Sequence, residues 1–355
     1  MRSGWIRVLA GSTALLVLAL AVGSAANAQG TNFAGRRIVV TSYGGVFEEF
    51  VRKEVVPGFE QLTGAKVELA VGISRDFIVK MRAAGPSNPP YDVLIADTAF
   101  VSLARKEGHI AKLPIQSVPN LKDVWPILRN KDDLGVVGLV APIGIAYRPD
   151  LVSTQPKVWK DLWRSEYKGK LGIYSIANSA APMFLMLVAK IFSGNEKNMD
   201  VAFQKVKELM PVRLIDFSGD MEKFLTTGEI QVGVLDGPAA VRLRRQGIQL
   251  AWVLPLEGTF MFAMEPNVTS GSRNKDVAYA YVNYFLSPEV QTKWASQFYW
   301  TPANRKVKMT AELAQLVPVH TQAQIRSLLT WDWDWVNSGV REQMIDRWNR
   351  EIVGR

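Results

Sequence analysis

Arg36-Arg37-Ile38-Val39-Val40-Thr41 is a short β-branched run, and Ser42-Tyr43-Gly44-Gly45 breaks it. Val46, Phe47, Phe50, Val51 and Val55 then recur at helical spacing, with Pro57 and Gly58 expected at the end of that stripe. Lys66 to Val71 alternates as a strand does, and Ser74 to Ala84 reads as a helix with Ser74 as its N-cap. Tyr91 to Ala96 is an apolar strand, followed by a helix from Thr98 to Glu107 that stops at Gly108. Strands alternating with helices specify βαβ units and a mostly parallel sheet. Ligands of such sheets sit beyond the carboxyl ends of the strands. That rule gathers Ser42, Tyr43, Gly44, Gly45, Arg75, Asp97 and Thr98 on one rim.

The rhythm returns further along. Val136 to Tyr147 is apolar and Gly-rich with Pro142 inside, and reads as extended strands linking two lobes. A second block follows: strand Lys170 to Tyr174, helices Pro182 to Phe192 and Val201 to Met210, and strand Val212 to Phe217. Helix Met221 to Thr227, strand Gln231 to Leu235 and helix Pro238 to Arg245 complete it. Ser287-Pro288-Glu289 is a helix start, with Ser as N-cap and Pro at the first helical position. Val340, Met344, Ile345, Trp348 and Ile352 form a helical stripe in the tail.

The 355 residues are 48% hydrophobic, enough for a sizeable core divided between about two domains. The absence of cysteine excludes disulfides, thiolate metal sites and cysteine nucleophiles, and two histidines argue against a His-based zinc site. Arg2 and Arg7, the apolar run Val8 to Val22 and Ala26-Asn27-Ala28 spell a secretory signal peptide cleaved after Ala28. The run is shorter than the roughly 20 residues that span a bilayer. Cleavage removes two arginines and lowers the formal charge from +9 to +7. An exported basic chain meets little nucleic acid, so no nucleic-acid partner is expected.

No nucleophile elbow, zinc-protease motif or phosphate loop is present in the sequence. His109 follows a helix end and reads as a surface contact there. Trp331-Asp332-Trp333-Asp334-Trp335 admits two readings, ring stacking on a ligand or docking of the C-terminal segment.

Several stretches together resemble one family. They are Tyr91-Asp92-Val93-Leu94 running to Arg105-Lys106-Glu107-Gly108-His109-Ile110, and Trp159-Lys160-Asp161-Leu162-Trp163 followed by Glu166-Tyr167-Lys168-Gly169-Lys170-Leu171. Gly228 to Gly233, Asn283 to Pro288 and Tyr299-Trp300-Thr301-Pro302-Ala303-Asn304 add to them. The chain from about Arg36 to Trp348 resembles the periplasmic solute-binding proteins of ABC importers, in the spermidine/putrescine-binding branch.

The resemblance implies an α/β, two-lobed type II periplasmic-binding-protein fold. Each lobe is a mostly parallel sheet flanked by helices, joined to the other by crossing hinge strands near Ala141 to Ile145 and Leu256 to Phe260. The expected division is a signal peptide over 1–28, a first lobe of 29–143 plus about 258–305, and a second of 144–257 plus about 306–355. The implied role is capture of a small solute in the periplasm by hinge closure. Delivery would be to an inner-membrane permease driven by a separate ATPase, by a monomer that is not an enzyme and uses no cofactor or metal.

Polyamine binders of this branch place acids on the loop after the first strand of the second lobe and on the strand after the second crossing. Here the first stretch reads Tyr174-Ser175-Ile176-Ala177-Asn178-Ser179-Ala180, and the second Thr259-Phe260-Met261-Phe262-Ala263-Met264. Ser175, Asn178 and Ser179 before a helix start suit an anion, as does the planar fork of Arg75 on the opposing rim. Asp97 stands where the branch has a small hydroxyl residue, and Asp216, Asp220 and Asp236 lie near strand ends. One of these acids facing Arg75 suits a zwitterion, with Tyr43 and Phe260 as an apolar wall. The expected solute is therefore anionic or zwitterionic, such as an amino-acid-like or carboxylate compound. The alternatives are a polyamine held by a rearranged acidic site and an exported enzyme on the same fold.

Overall fold

In the computed structural model, which describes residues 32–354, strand β1 (Arg37–Ser42) pairs in parallel with β2 (Lys66–Val71) and β3 (Val93–Asp97). The expected leader and its cleavage site lie outside the described residues. The remaining strands are β4 (Leu139–Tyr147), β5 (Leu171–Tyr174), β6 (Arg213–Ile215), β7 (Val232–Asp236), β8 (Ala251–Val253), β9 (Phe260–Val268) and β10 (Thr301–Pro302). The main path of the sheet runs β2-β1-β3-β9-β4-β7-β5-β6. Its outer thirds are parallel, as the βαβ rhythm requires, and its centre is antiparallel.

The centre is antiparallel because two nine-residue strands pass through it. β4 pairs with β9 over Leu139–Ile143 and with β7 over Ile143–Tyr147. β9 pairs with β4 over Phe260–Met264 and with β3 over Met264–Val268. Partner exchange thus falls at Ile143, inside the expected range, and at Met264, a few residues beyond the other. Every residue of β4 is buried, which is why this stretch shows no alternation in the sequence.

The two larger of four apolar cores among the described residues draw on these strands. Ile38, Val40, Val93, Leu139, Tyr281 and Trp294 belong to one, and Ile143, Trp159, Ile173, Phe184, Val234 and Phe260 to the other. Each large side chain fully buried contributes about 1.5–3 kcal/mol. The tail changes sides late. Val319, Ile325 and Leu328 pack in the first core, whereas Trp331, Val336, Met344, Trp348 and Ile352 pack in the second. Within the expected grouping of 306–355, the side chains of Val319, Ile325 and Leu328 thus pack in the first core and those from Trp331 onward in the second.

Some local expectations are corrected. Pro57 and Gly58 do not end their helix. A π-helical turn over Val51–Val55 leads into Val56–Thr63, where Pro57 occupies the first turn and needs no donor. Gly64 ends the run in the left-handed conformation at φ 73°. His109 is buried, its backbone N–H bonded to the Ala104 carbonyl, and is not a surface contact. Trp331, Trp333 and Trp335 pack against the second core, so they dock the tail.

Candidate functional site

β3 and β7 occupy matching places in the two halves, and each ends in aspartate. Asp97 closes β3 and caps the helix Thr98–Lys106 by accepting the Ala99 N–H at 2.9 Å. Asp236 closes β7 and caps the helix Gly237–Arg245 by accepting the Ala239 N–H at 2.9 Å. Each cap uses Oδ1. Both carboxylates line one cavity of about 720 Å³. Its floor is Phe262, Ala263 and Met264 of β9, and Tyr43, Ser74, Arg75 and Phe100 line it with Asp97 from the first half. Asn178, Ser179, Asp216, Ser218, Glu222 and Arg242 line it with Asp236 from the second.

Asp236 is buried and Asp97 half-buried, and desolvation drives the electrostatics of both. Desolvation pushes the Asp97 carboxyl up to about 7, and the negative charge of Glu265 adds to it. The Ala99 N–H and the Arg341 guanidinium oppose that rise. Burial likewise pushes Asp236 up to about 6, with Glu222 adding and Arg242 and the Ala239 N–H opposing. The Tyr43 phenol is raised by burial and by Asp97.

The Tyr43 hydroxyl lies 2.6 Å from the Ser74 hydroxyl, which accepts the Asp97 N–H at 3.0 Å. Ser74 is thus an organiser of the rim and not the expected N-cap. That position belongs to Ile73, which makes no side-chain cap bond. Phe217 holds the matching N-cap position before the helix Ser218–Thr227 and also makes none. Ile73 and Phe217 both line the cavity, at 52% and 70% exposure. Apolar, exposed N-caps facing one cleft from both sides run against the usual preference for Ser, Thr, Asp or Asn.

The twelve residues expected at a site divide into two groups. Tyr43, Arg75, Asp97, Asn178, Ser179 and Asp236 come together around the cavity. Six stand behind or beside it. Ser42 is buried and donates to the Tyr43 carbonyl. Gly45 adopts φ 66° before the helix at Val46, and a side chain on Gly44 would meet Val71 at 3.2 Å. Thr98 lines a smaller cavity of about 250 Å³ with Met183, Met261, Trp331 and Trp333. Ser175 is buried and donates to Asp216. Phe260 is fully buried, 5.6 Å from the Trp159 ring centroid, so it is a core residue and not a wall. The wall is Phe262, two residues on along the same face of the strand.

The loop expected to cradle an anion holds a carboxylate instead. Besides Ser175, the Asn178 side chain donates to the Asp216 carbonyl at 3.0 Å and accepts the Ala180 N–H at 2.9 Å. Ser179 precedes the helix Ala180–Ser193 with no side-chain cap bond. Arg75 is 73% exposed and meets Asp76 at 3.6 Å. Sequence reading missed Glu222 and Arg242, which form an ion pair at 2.9 Å from two helices. It also missed Phe47, Phe100, Phe217 and Trp300 as lining residues, although Trp300 stood in a quoted motif. Asp97, Asp216, Glu222 and Asp236 face the cavity against Arg75 and Arg242, so acid is in excess, with aromatic faces around it. No group of three or more potential metal ligands occurs among the described residues. No described helix is long and apolar enough to cross a membrane.

The model of a family described as bacterial extracellular solute-binding protein matches residues 88–328. The spermidine/putrescine-binding periplasmic protein of Salmonella typhimurium is 28% identical over 302 residues, covering 81% of this chain and 84% of that protein. Among solved structures, an extracellular solute-binding protein from Bordetella parapertussis superposes with a TM-score of 0.79 at 26% identity, over 90% of this chain and 99% of that one. A protein solved as a GABA receptor shares the fold at a TM-score of 0.74 and 20% identity, over 88% and 96% of the two chains.

Proposed function

The chain belongs to the bacterial extracellular solute-binding protein family, and from that premise we propose that its solute carries an ammonium group held between Asp97 and Asp236. An ABC transporter solute-binding protein takes up a small molecule for its transporter. The observation that carries the ammonium reading is the pair of strand-end carboxylates, Asp236 buried and Asp97 half-buried, lining one cavity from opposite halves. A desolvated carboxylate is costly unless paired, and an ammonium supplies the missing partner for both. Tyr43, Phe100 and Phe262 bring aromatic rings to the same cavity, where a cation can meet them. The excess of acid disfavours a purely anionic solute and keeps the zwitterion. In that reading Arg75, on the rim, takes the carboxylate of an amino-acid-like compound through its planar fork.

We further infer two lobes that hinge at Ile143 and Met264 and close on the solute. Ile73 and Phe217, exposed and apolar on opposite rims, are suited to meet on closure. The exported monomer would act in the periplasm, deliver to an inner-membrane permease with a separate ATPase, and catalyse nothing. A polyamine is the second reading. It is favoured by the four carboxylates in the cavity and by the polyamine named for the Salmonella relative.

Arg75→Ala separates the two. Calorimetric titration should show about a tenfold loss of affinity for 4-aminobutyrate and no loss for putrescine, because only the first has a carboxylate for the guanidinium. Unchanged affinity for both would remove Arg75 from the site.

A further inference from the structure

We propose that the smaller cavity of about 250 Å³ is a second chamber of the solute site, and that it takes an uncharged, ring-sized arm of the solute. The favoured class is then an amine that carries an aromatic or bulky apolar substituent. The inference rests on the reading of Asp97 as an ammonium partner and deepens it.

The two cavities adjoin, because Asp97 and Ala263 line both. Little separates them there. Ala263 is the small residue in the stretch Met261-Phe262-Ala263-Met264 of β9. The Thr98 hydroxyl donates to its carbonyl at 3.4 Å, a long hydrogen bond. A solute whose ammonium lies at Asp97 therefore has the second chamber beside it.

The walls of this chamber suit a ring. Ile127 comes from the side of the first core, Met183 from the second, Met261 from β9, and Trp331 and Trp333 from the tail. Methionine adapts to varied apolar shapes, and tryptophan stacks on rings. An apolar cavity of about 150 Å³ takes a benzene ring, so this one has room for a ring and its linker. The charges point the same way. Arg129 and Lys131 also line the chamber, and Asp97 is the carboxylate among its lining residues. Two cations oppose the entry of a second ammonium, so the arm that enters is uncharged.

Trp331 gives an independent sign of an occupant. It is 9% exposed, and its indole Nε1 is buried without a hydrogen-bond partner. An unpaired buried donor is costly, and a ring face or ring oxygen of the solute can accept it.

The test compares ethylamine with 2-phenylethylamine, which share the ammonium and differ in the ring. Calorimetric titration at pH 8 should show the second bound about tenfold or more tightly, the gain from burying one aromatic ring. In Met261→Trp, whose indole fills the chamber, the two amines should bind alike. Wild-type protein labelled with carbon-13 at the methionine ε-methyls locates the ring directly, with Met→Leu substitutions used to assign the signals. Met264 lines the main cavity, and Met183 and Met261 line the second chamber. Nuclear Overhauser contacts should run from the ring protons of 2-phenylethylamine to Met183 and Met261. Equal affinities of the two amines for the wild type, or ring contacts confined to Met264, would overturn the proposal. Failure of the underlying reading looks different. In that case 2-phenylethanol, which has no ammonium, would bind as tightly as 2-phenylethylamine, with its ring still touching Met183 and Met261.

Discussion

Asp97→Asn is expected to weaken binding of an ammonium-bearing solute by about 30-fold or more, the equivalent of at least about 2 kcal/mol for a charge pair desolvated around the solute losing one partner. The substitution is close to a pure charge deletion. The Asn side-chain oxygen still accepts the Ala99 N–H, and Asn caps helices about as well as Asp. The same change should make the empty protein more stable at pH 8. The folded-state pKa of Asp97 is raised from the usual carboxylate value of 3.8 to about 7. Its contribution to stability is therefore full below about pH 4 and is lost as pH rises through 7. Removing the charge recovers that loss, so the thermal midpoint should rise at pH 8 and match the wild type near pH 4. Asp236→Asn should behave alike with a smaller stability gain, because its carboxyl is raised only to about 6. Titration and scanning calorimetry on the two variants measure both effects. Affinity left intact by both substitutions would exclude these carboxylates as the ammonium site.

The second large effect is the pH dependence of the wild type. In the empty protein the two carboxyls take up protons near pH 7 and pH 6. An ammonium lodged between them holds both ionised, so binding releases protons, and affinity must fall as pH falls. If both must be ionised, the loss between pH 8 and pH 5 approaches about 10³-fold by linkage. Titrations in two buffers of different ionisation enthalpy at pH 6 should show proton release. A solute bound through its anionic group alone would give the opposite trend or none.

Much of the fold was legible because strand ends and helix starts carry local signals. Lys66–Val71 and Ser74–Ala84 form the strand and helix that their patterns predict. The pair Ser287-Pro288 opens its helix as expected, with the Ser287 hydroxyl accepting the Val290 N–H. What failed depended on tertiary contacts. Nothing local distinguishes Phe260 from Phe262, both apolar on one face of β9. Which one meets Trp159 and which the cavity is set by where the strand leaves the second core. The run Ser175 to Ser179 looked like an anion cradle because its hydroxyls precede a helix. Its hydrogen bonds run instead to Asp216, a residue about forty positions on that β6 brings alongside β5. Glu222 and Arg242 sit on amphipathic helices among other charges, so their convergence had no signature. Asp97 and Asp236 were visible because a carboxylate ending an apolar strand and capping a helix is a local pattern. Their desolvation was not, since it depends on tertiary packing around the strand ends.

The most direct test of the central claim is a thermal-shift panel on ligand-stripped protein, Gln29 to Arg355, at pH 8. The compounds would be putrescine, spermidine, 4-aminobutyrate and other ω-amino acids, set against succinate and a sugar phosphate that lack an amine. Saturation at 100 times the dissociation constant adds about 2.7 kcal/mol, which moves the midpoint of a chain this size by several degrees. The account predicts a shift with at least one amine-bearing compound and none with the amine-free anions. A shift with succinate or the sugar phosphate, and none with any amine, would contradict it.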